Sequence, residues 1–173
     1  MSTEKVSDDV ACFWEDMSGK HGSLISPSMF KEFMTPNYQR IINFLKEKKI
    51  KYFLVDTDGD VSQLIPLFLD AGINVMYPFE QQAGNDLIEI RKKYPQLRML
   101  GGFDKSTLDK GKSEIENELK KMRFMIWQGG YIPYADHLIP ANVNWDNFKY
   151  YRERLKGIID TTPVQRRSPA SQA

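Results

Sequence analysis

The sequence holds one cysteine, Cys12, and two histidines among 173 residues. A single thiol excludes an internal disulfide and the multi-cysteine patterns of structural zinc sites. Cys12 sits in the run Val10-Ala-Cys-Phe-Trp14 and reads as a small buried hydrophobe. Neither sign of charge is in excess: 24 Lys+Arg face 23 Asp+Glu, for a formal net charge of +1. The basic residues are dispersed among acids, which is not a nucleic-acid footprint. The densest basic run, Lys46, Lys48 and Lys49, reads as the solvated end of a helix. No uninterrupted apolar stretch approaches the ~20 residues needed to span a bilayer, and the polar start Met1–Asp9 has no apolar signal core. No G-x-G-x-x-G or Walker-type phosphate loop is present. What these absences leave is a globular chain with the cytoplasm as its default address and a small molecule as its expected ligand.

Five short apolar runs are present and read as buried strands: Val10–Trp14, Tyr52–Val55, Val75–Phe79, Leu97–Leu100 and Met125–Trp127. Helical patterns separate them. Tyr38, Ile41, Ile42 and Leu45 recur at helical spacing after Pro36. Leu64, Ile65, Phe68 and Leu69 repeat the pattern up to Ala71-Gly72, with Pro66 expected to shorten or kink that helix. Leu87, Ile90 and Arg91 lead to a stop at Pro95, and Ser113–Leu119 is a charged amphipathic helix. Trp145, Phe148, Tyr151, Leu155 and Ile158 mark the last helix. Strict alternation of continuous apolar strands with amphipathic helices implies an α/β fold with a parallel sheet. The two candidate architectures are an open doubly wound sheet and part of a (β/α)₈ barrel. Residues 161–173 lack periodicity and are expected to form a disordered tail after a single domain over 1–160.

Both architectures bind ligands at the carboxyl ends of their strands, and polar residues gather there in the sequence. The run Tyr52-Phe-Leu-Val-Asp56-Thr-Asp58-Gly59-Asp60 carries an apolar strand straight into acids, with Asp56 and Asp58 on one face. Other strand ends bring Glu15 and Asp16, Glu80, Asp104 and Lys105, and Asp136-His137. Asp60 or Ser62, and Asp104, also suit helix caps; Asp16 with Ser18-Gly19 suits a turn; His21 suits an exposed loop. The pairs Gly101-Gly102 and Gly129-Gly130 suit close packing or, less well, a phosphate site. His137 is the natural acid–base group or ligand. Asp58, Glu80 and His137 together suit a divalent zinc or manganese ion or a proton-transfer set.

The order of motifs resembles one family. Trp14-Glu-Asp-Met, Ser26-Pro, Met29-Phe30, Asp56-Thr-Asp58-Gly59-Asp60, Ala71-Gly-Ile-Asn-Val, Pro78-Phe-Glu80, Gly101-Gly-Phe-Asp104 and Asp136-His137-Leu-Ile-Pro140 resemble the later part of the uroporphyrinogen decarboxylase superfamily. The resemblance implies a partial (β/α)₈ TIM barrel of about five parallel strands with covering helices, carrying the carboxyl-terminal part of the barrel. It places His137 where the decarboxylase has a substrate-contacting histidine, and Asp16 where the family has a cleft serine. His137, Asp58 and Asp16 are then the candidate catalytic set, and Trp14, Asp56, Lys105 and Tyr134 the candidate substrate-binding residues at the strand ends.

Two activities follow from the resemblance. One is a decarboxylase-like lyase acting on a tetrapyrrole or other carboxylated substrate with no cofactor required. The other is a corrinoid-linked methyltransferase, in which Asp56-x-Asp58 stands where that branch has a His-x-Cys zinc pair. A metal would then rest on Asp58, Glu80 and His137, and a corrinoid protein would be a partner. A third expectation is a non-catalytic piece that pairs with a complementary barrel half or with a second copy of itself.

Overall fold

The computed structural model describes residues 9–165. Strand β1 (Val10–Trp14) leads to a small hairpin, β2 (Ser18–Gly19) and β3 (Gly22–Ser23). A helix in two parts follows, α1 (Pro27–Met29) and α2 (Thr35–Glu47), joined through a π-helical turn at Phe30–Met34. Ser26 caps its start, its hydroxyl accepting the Met29 N–H at 3.2 Å, and Pro27 occupies the first turn. Then come β4 (Tyr52–Asp56), α3 (Ile65–Ala71), β5 (Val75–Tyr77), α4 (Leu87–Lys93), β6 (Arg98–Leu100), α5 (Lys112–Gln128), β7 (Tyr131–Ile132) and α6 (Trp145–Thr161).

The five main strands form one sheet in the order β1-β4-β5-β6-β7, every pair parallel. Spatial order equals chain order, with no reversal. A doubly wound sheet reverses at a switch point; this one does not, so it is a five-strand arc of a singly wound, barrel-type α/β fold. The period-two alternation sets the two faces. Ala11, Phe13, Phe53, Val55, Met76 and Met99 turn toward the helices and join one continuous core with Phe30, Tyr38, Phe68, Leu119 and Tyr151. Burying each large apolar side chain of this set contributes about 1.5–3 kcal/mol. The opposite face is open: Val10, Leu54, Val75, Leu100 and Ile132 line a cavity of about 450 Å³ on the inner side of the arc.

Several expectations are corrected. Met125–Trp127 is helical and lies near the end of α5, a single 17-residue helix that begins with the charged segment. Met122, Met125 and Ile126 face the core, and a short apolar run on a buried helical face is indistinguishable from a strand by periodicity alone. The last strand is β7 instead. Gly129-Gly130 therefore precede their strand and lie at the rim opposite the carboxyl ends, which removes them from any phosphate site there. Pro66 opens α3 from its first turn and neither shortens nor kinks it. Cys12 is exposed, because it belongs with Val10 and Trp14 to the open face of edge strand β1. Beyond α6, Thr162 is buried and the Gln165 N–H donates to the Trp127 carbonyl at 2.7 Å. The rest of the expected tail, including Arg166-Arg167, lies outside the described residues.

Candidate active site at the strand ends

Parallel strands bring their carboxyl ends to one rim, and four consecutive strand-end loops carry the polar residues. Strand β4 continues its alternation past Asp56, so Thr57 is buried while Asp56 and Asp58 emerge on the inner side. Gly59 follows with φ +76°, and a Cβ there would sit 2.5 Å from the Gly19 carbonyl oxygen. The loop after β4 thus lies directly against the β2–β3 hairpin, and only glycine permits that approach. Asp60 does not cap α3; its carboxylate accepts the Ser62 N–H at 2.9 Å in a local turn. Asp104 does cap, accepting the Ser106 N–H at 2.9 Å at the start of the single turn Lys105–Thr107.

The rim contains two paired sets. His137 Nε2 lies 3.5 Å from Asp58 Oδ2. Lys105 Nζ lies 3.8 Å from Glu80 Oε1, while Glu80 Oε2 accepts the Gly59 N–H at 3.0 Å. Asp56 accepts the Tyr77 hydroxyl at 2.7 Å. Burial pushes the Asp58 carboxyl above its ordinary range; His137 pulls it back, and Glu80, Asp56 and Asp16 push it further up. Burial and the Asp56 charge likewise raise the Tyr134 phenol to about 12. Asp16 thus acts on Asp58 through charge. Trp14 is opposite Asp56 in the β1–β4 register and 81% exposed. Glu15 turns the other way, accepting the Tyr38 hydroxyl at 2.6 Å on the helical side. His21 is exposed on its loop.

Two buried residues outside the expected catalytic, substrate and metal sets organise this rim. Asn85 is buried, donates to the carbonyls of Gly59 (2.7 Å) and Glu80 (2.9 Å), and accepts the Val61 N–H at 3.2 Å. Asp136, 1% exposed, accepts the Gln81 N–H at 2.8 Å and the Lys105 N–H at 3.1 Å. A polar residue beside the histidine was the only available signal for Asp136; Asn85 offered none.

Among the described residues no three His, Cys, Asp or Glu side chains are grouped to hold an ion. Glu80 is taken by Lys105 and a backbone N–H, which separates it from the Asp58–His137 pair. The residues present do not fit a three-ligand centre on Asp58, Glu80 and His137. The rim does hold an imidazole–carboxylate pair, a lysine–carboxylate pair and a tyrosine-bound carboxylate, which suits proton transfer and polar anchoring.

Sequential parallel strands, helices on one face and a polar rim at the carboxyl ends define the class: a barrel-type α/β protein with an enzyme-like mouth. The family is identified as well. The family model for uroporphyrinogen decarboxylase (URO-D) matches residues 8–158, and the chain belongs to that family. Among curated proteins none matches it at a significant level. No helix among the described residues is long and apolar enough to cross a membrane.

Proposed function

We propose that this rim is the active site of a decarboxylase-like member of the URO-D superfamily, with the His137–Asp58 pair as its proton-transfer group. The observation that carries the reading is that pair, 3.5 Å apart, brought together by the loops after β4 and β7 at the carboxyl rim. Loss of CO₂ from a carboxylate leaves an electron pair on carbon, and a proton must take its place. An imidazole that is oriented by a carboxylate delivers a proton at neutral pH. Lys105, beside Glu80 on the rim, serves as a carboxylate anchor for the substrate. Trp14 and Tyr134 supply apolar walls.

Charge narrows the substrate. On this part of the rim Asp16, Asp56, Asp58 and Glu80 outnumber Lys105 and His137, so it carries more carboxylates than cations. Such a rim repels polyanions. It favours a substrate with few carboxylates over a polycarboxylate such as uroporphyrinogen. The test is CO₂ release by the purified chain from carboxyl-labelled uroporphyrinogen and from smaller pyrrole- and aryl-acetic acids. His137→Ala and Asp58→Asn are expected to lower the rate by about 100-fold or more. Absence of CO₂ release from every member of that panel, or full activity in His137→Ala, sinks the reading.

The arc also has a covering in this reading. Strands β1 and β7 are its edges, and both carry exposed apolar residues, Val10 and Trp14 on one and Ile132 on the other. Met29, Phe33, Ile41 and Phe44 form an exposed apolar stripe on the helix beside β1. Three further β/α units of the same kind, on a longer chain or a separate one, complete eight strands and bury these edges. Sedimentation equilibrium separates this from a second copy: a stable homodimer assigns the edges to self-association instead.

A further inference from the structure

We infer that Asp136 is a positioning residue that locks the four strand-end loops into one unit and so sets the His137–Asp58 and Lys105–Glu80 geometries. The function it serves rests on the reading of the rim given above.

The contacts form a closed circuit. Asp136 Oδ2 accepts the Gln81 N–H and its Oδ1 accepts the Lys105 N–H, at 2.8 and 3.1 Å. Its own N–H donates to the Phe103 carbonyl at 2.8 Å, which fixes its backbone against the strand-end of β6. Gln81 follows Glu80 in the chain, and Glu80 holds the Gly59 N–H and faces Lys105. Gly59 follows Asp58, Asp58 faces His137, and His137 follows Asp136. The circuit thus passes through the loops after β4, β5, β6 and β7 and returns to its start.

Burial gives this circuit its leverage. Asp136 is 1% exposed, so each of its oxygens relies on protein donors, and backbone N–H groups are donors that cannot swing away as a lysine side chain can. A carboxylate is also the group that accepts two N–H groups from opposite sides without presenting a donor to either. Asparagine keeps one acceptor and turns an NH₂ toward the second N–H. The side chains that do the work on the rim are by contrast partly exposed: His137 and Asp58 are 37% and 41% open. Their placement comes from the loops, and the loops meet at Asp136.

The experiment uses amide and imidazole NMR on the whole chain. Asp136→Ala is expected to move the Gly59 amide and the His137 ring signals, neither of which Asp136 touches through its side chain, as well as those of Gln81 and Lys105. Asp136→Asn is expected to move the same signals less. Ile42→Ala, a core change on α2 away from the rim, is expected to lower stability and leave those signals in place. In the wild type, hydrogen exchange of the Gly59, Gln81, Lys105 and Asp136 amides is expected to agree within about threefold, as for one cooperative unit. This last measurement decides even if neither Asp136 variant folds. Gly59 and His137 unmoved in a folded Asp136→Ala chain, or Gly59 exchanging independently of the other three, overturns the proposal. Neither result depends on turnover, so loss of the decarboxylase reading and loss of this one are separate outcomes.

Discussion

Asn85 and Gly59 are joined by a hydrogen bond of 2.7 Å from the Asn85 side-chain NH₂ to the Gly59 carbonyl. The same amide group donates to the Glu80 carbonyl, and its oxygen accepts the Val61 N–H. Asn85→Ala strands three backbone groups in a buried place. The expected loss is on the order of 3 kcal/mol, allowing for partial relaxation, which corresponds to a fall of roughly 10 °C in Tm. Urea unfolding of the purified variant checks it. A loss below about 1 kcal/mol would show that water or backbone movement replaces all three bonds.

Two glycines with nearly the same backbone angle are expected to respond differently to alanine. Gly84 (φ +91°) has nothing within 4 Å of the position a Cβ would occupy, so Gly84→Ala meets only the left-handed backbone cost of about 1 kcal/mol. Gly101 (φ +89°) would place its Cβ 2.5 Å from the Pro78 carbonyl oxygen, where the strand ends of β5 and β6 pass each other. Gly101→Ala adds a backbone displacement to the same angle cost, for about 3 kcal/mol in total. Equal denaturation midpoints for the two variants would contradict the close approach at Gly101.

The arc of five β/α units was legible because continuous apolar strands and amphipathic helices differ in period. The position of Asp56, Asp58, Glu80 and His137 at one rim was legible because the carboxyl ends of parallel strands meet there, whereas Asp60 and Asp104 turned out to serve a local turn and a cap. The fifth strand was misplaced because Met125 and Ile126 lie on the buried face of a helix whose polar residues come earlier in the chain, so the run Met125–Trp127 shows no helical period by itself. Cys12 was misplaced because a strand sequence does not say which of its faces a neighbour covers. Asp136 was legible only as the acid beside His137, and Asn85 not at all, since the side-chain partners of both are backbone groups and backbone carries no side-chain pattern to read.

Asp58 is expected to make the chain less stable as pH rises. Its carboxyl is raised by burial above the ordinary value of 3.8. The folded state therefore holds a proton that the unfolded state has already released, and the difference in bound protons makes stability fall with pH from near 4 through the folded value. Asp58→Asn removes this contribution. Its urea midpoint relative to the wild type is expected to shift upward as pH goes from about 4 to 6. A relative midpoint that stays level, or moves down, across that window contradicts the raised carboxyl.

Cys12 offers a direct probe of charge on the inner face. Partial desolvation raises its thiol above the ordinary value of 9.0, the Asp56 carboxylate raises it further, and the nearby Tyr77 hydroxyl lowers it. Only the thiolate reacts with iodoacetamide, so the pH midpoint of alkylation reads these effects separately. Asp56→Asn removes a neighbouring negative charge, and the midpoint is expected to move down. Tyr77→Phe removes the hydroxyl that steadies the thiolate, and the midpoint is expected to move up. The two variants share the Tyr77–Asp56 bond of 2.7 Å, so a disturbance of packing alone would move both midpoints in one direction. Opposite movements place the thiol, the phenol and the carboxylate in one electrostatic group beside the rim; movement together would separate Cys12 from it.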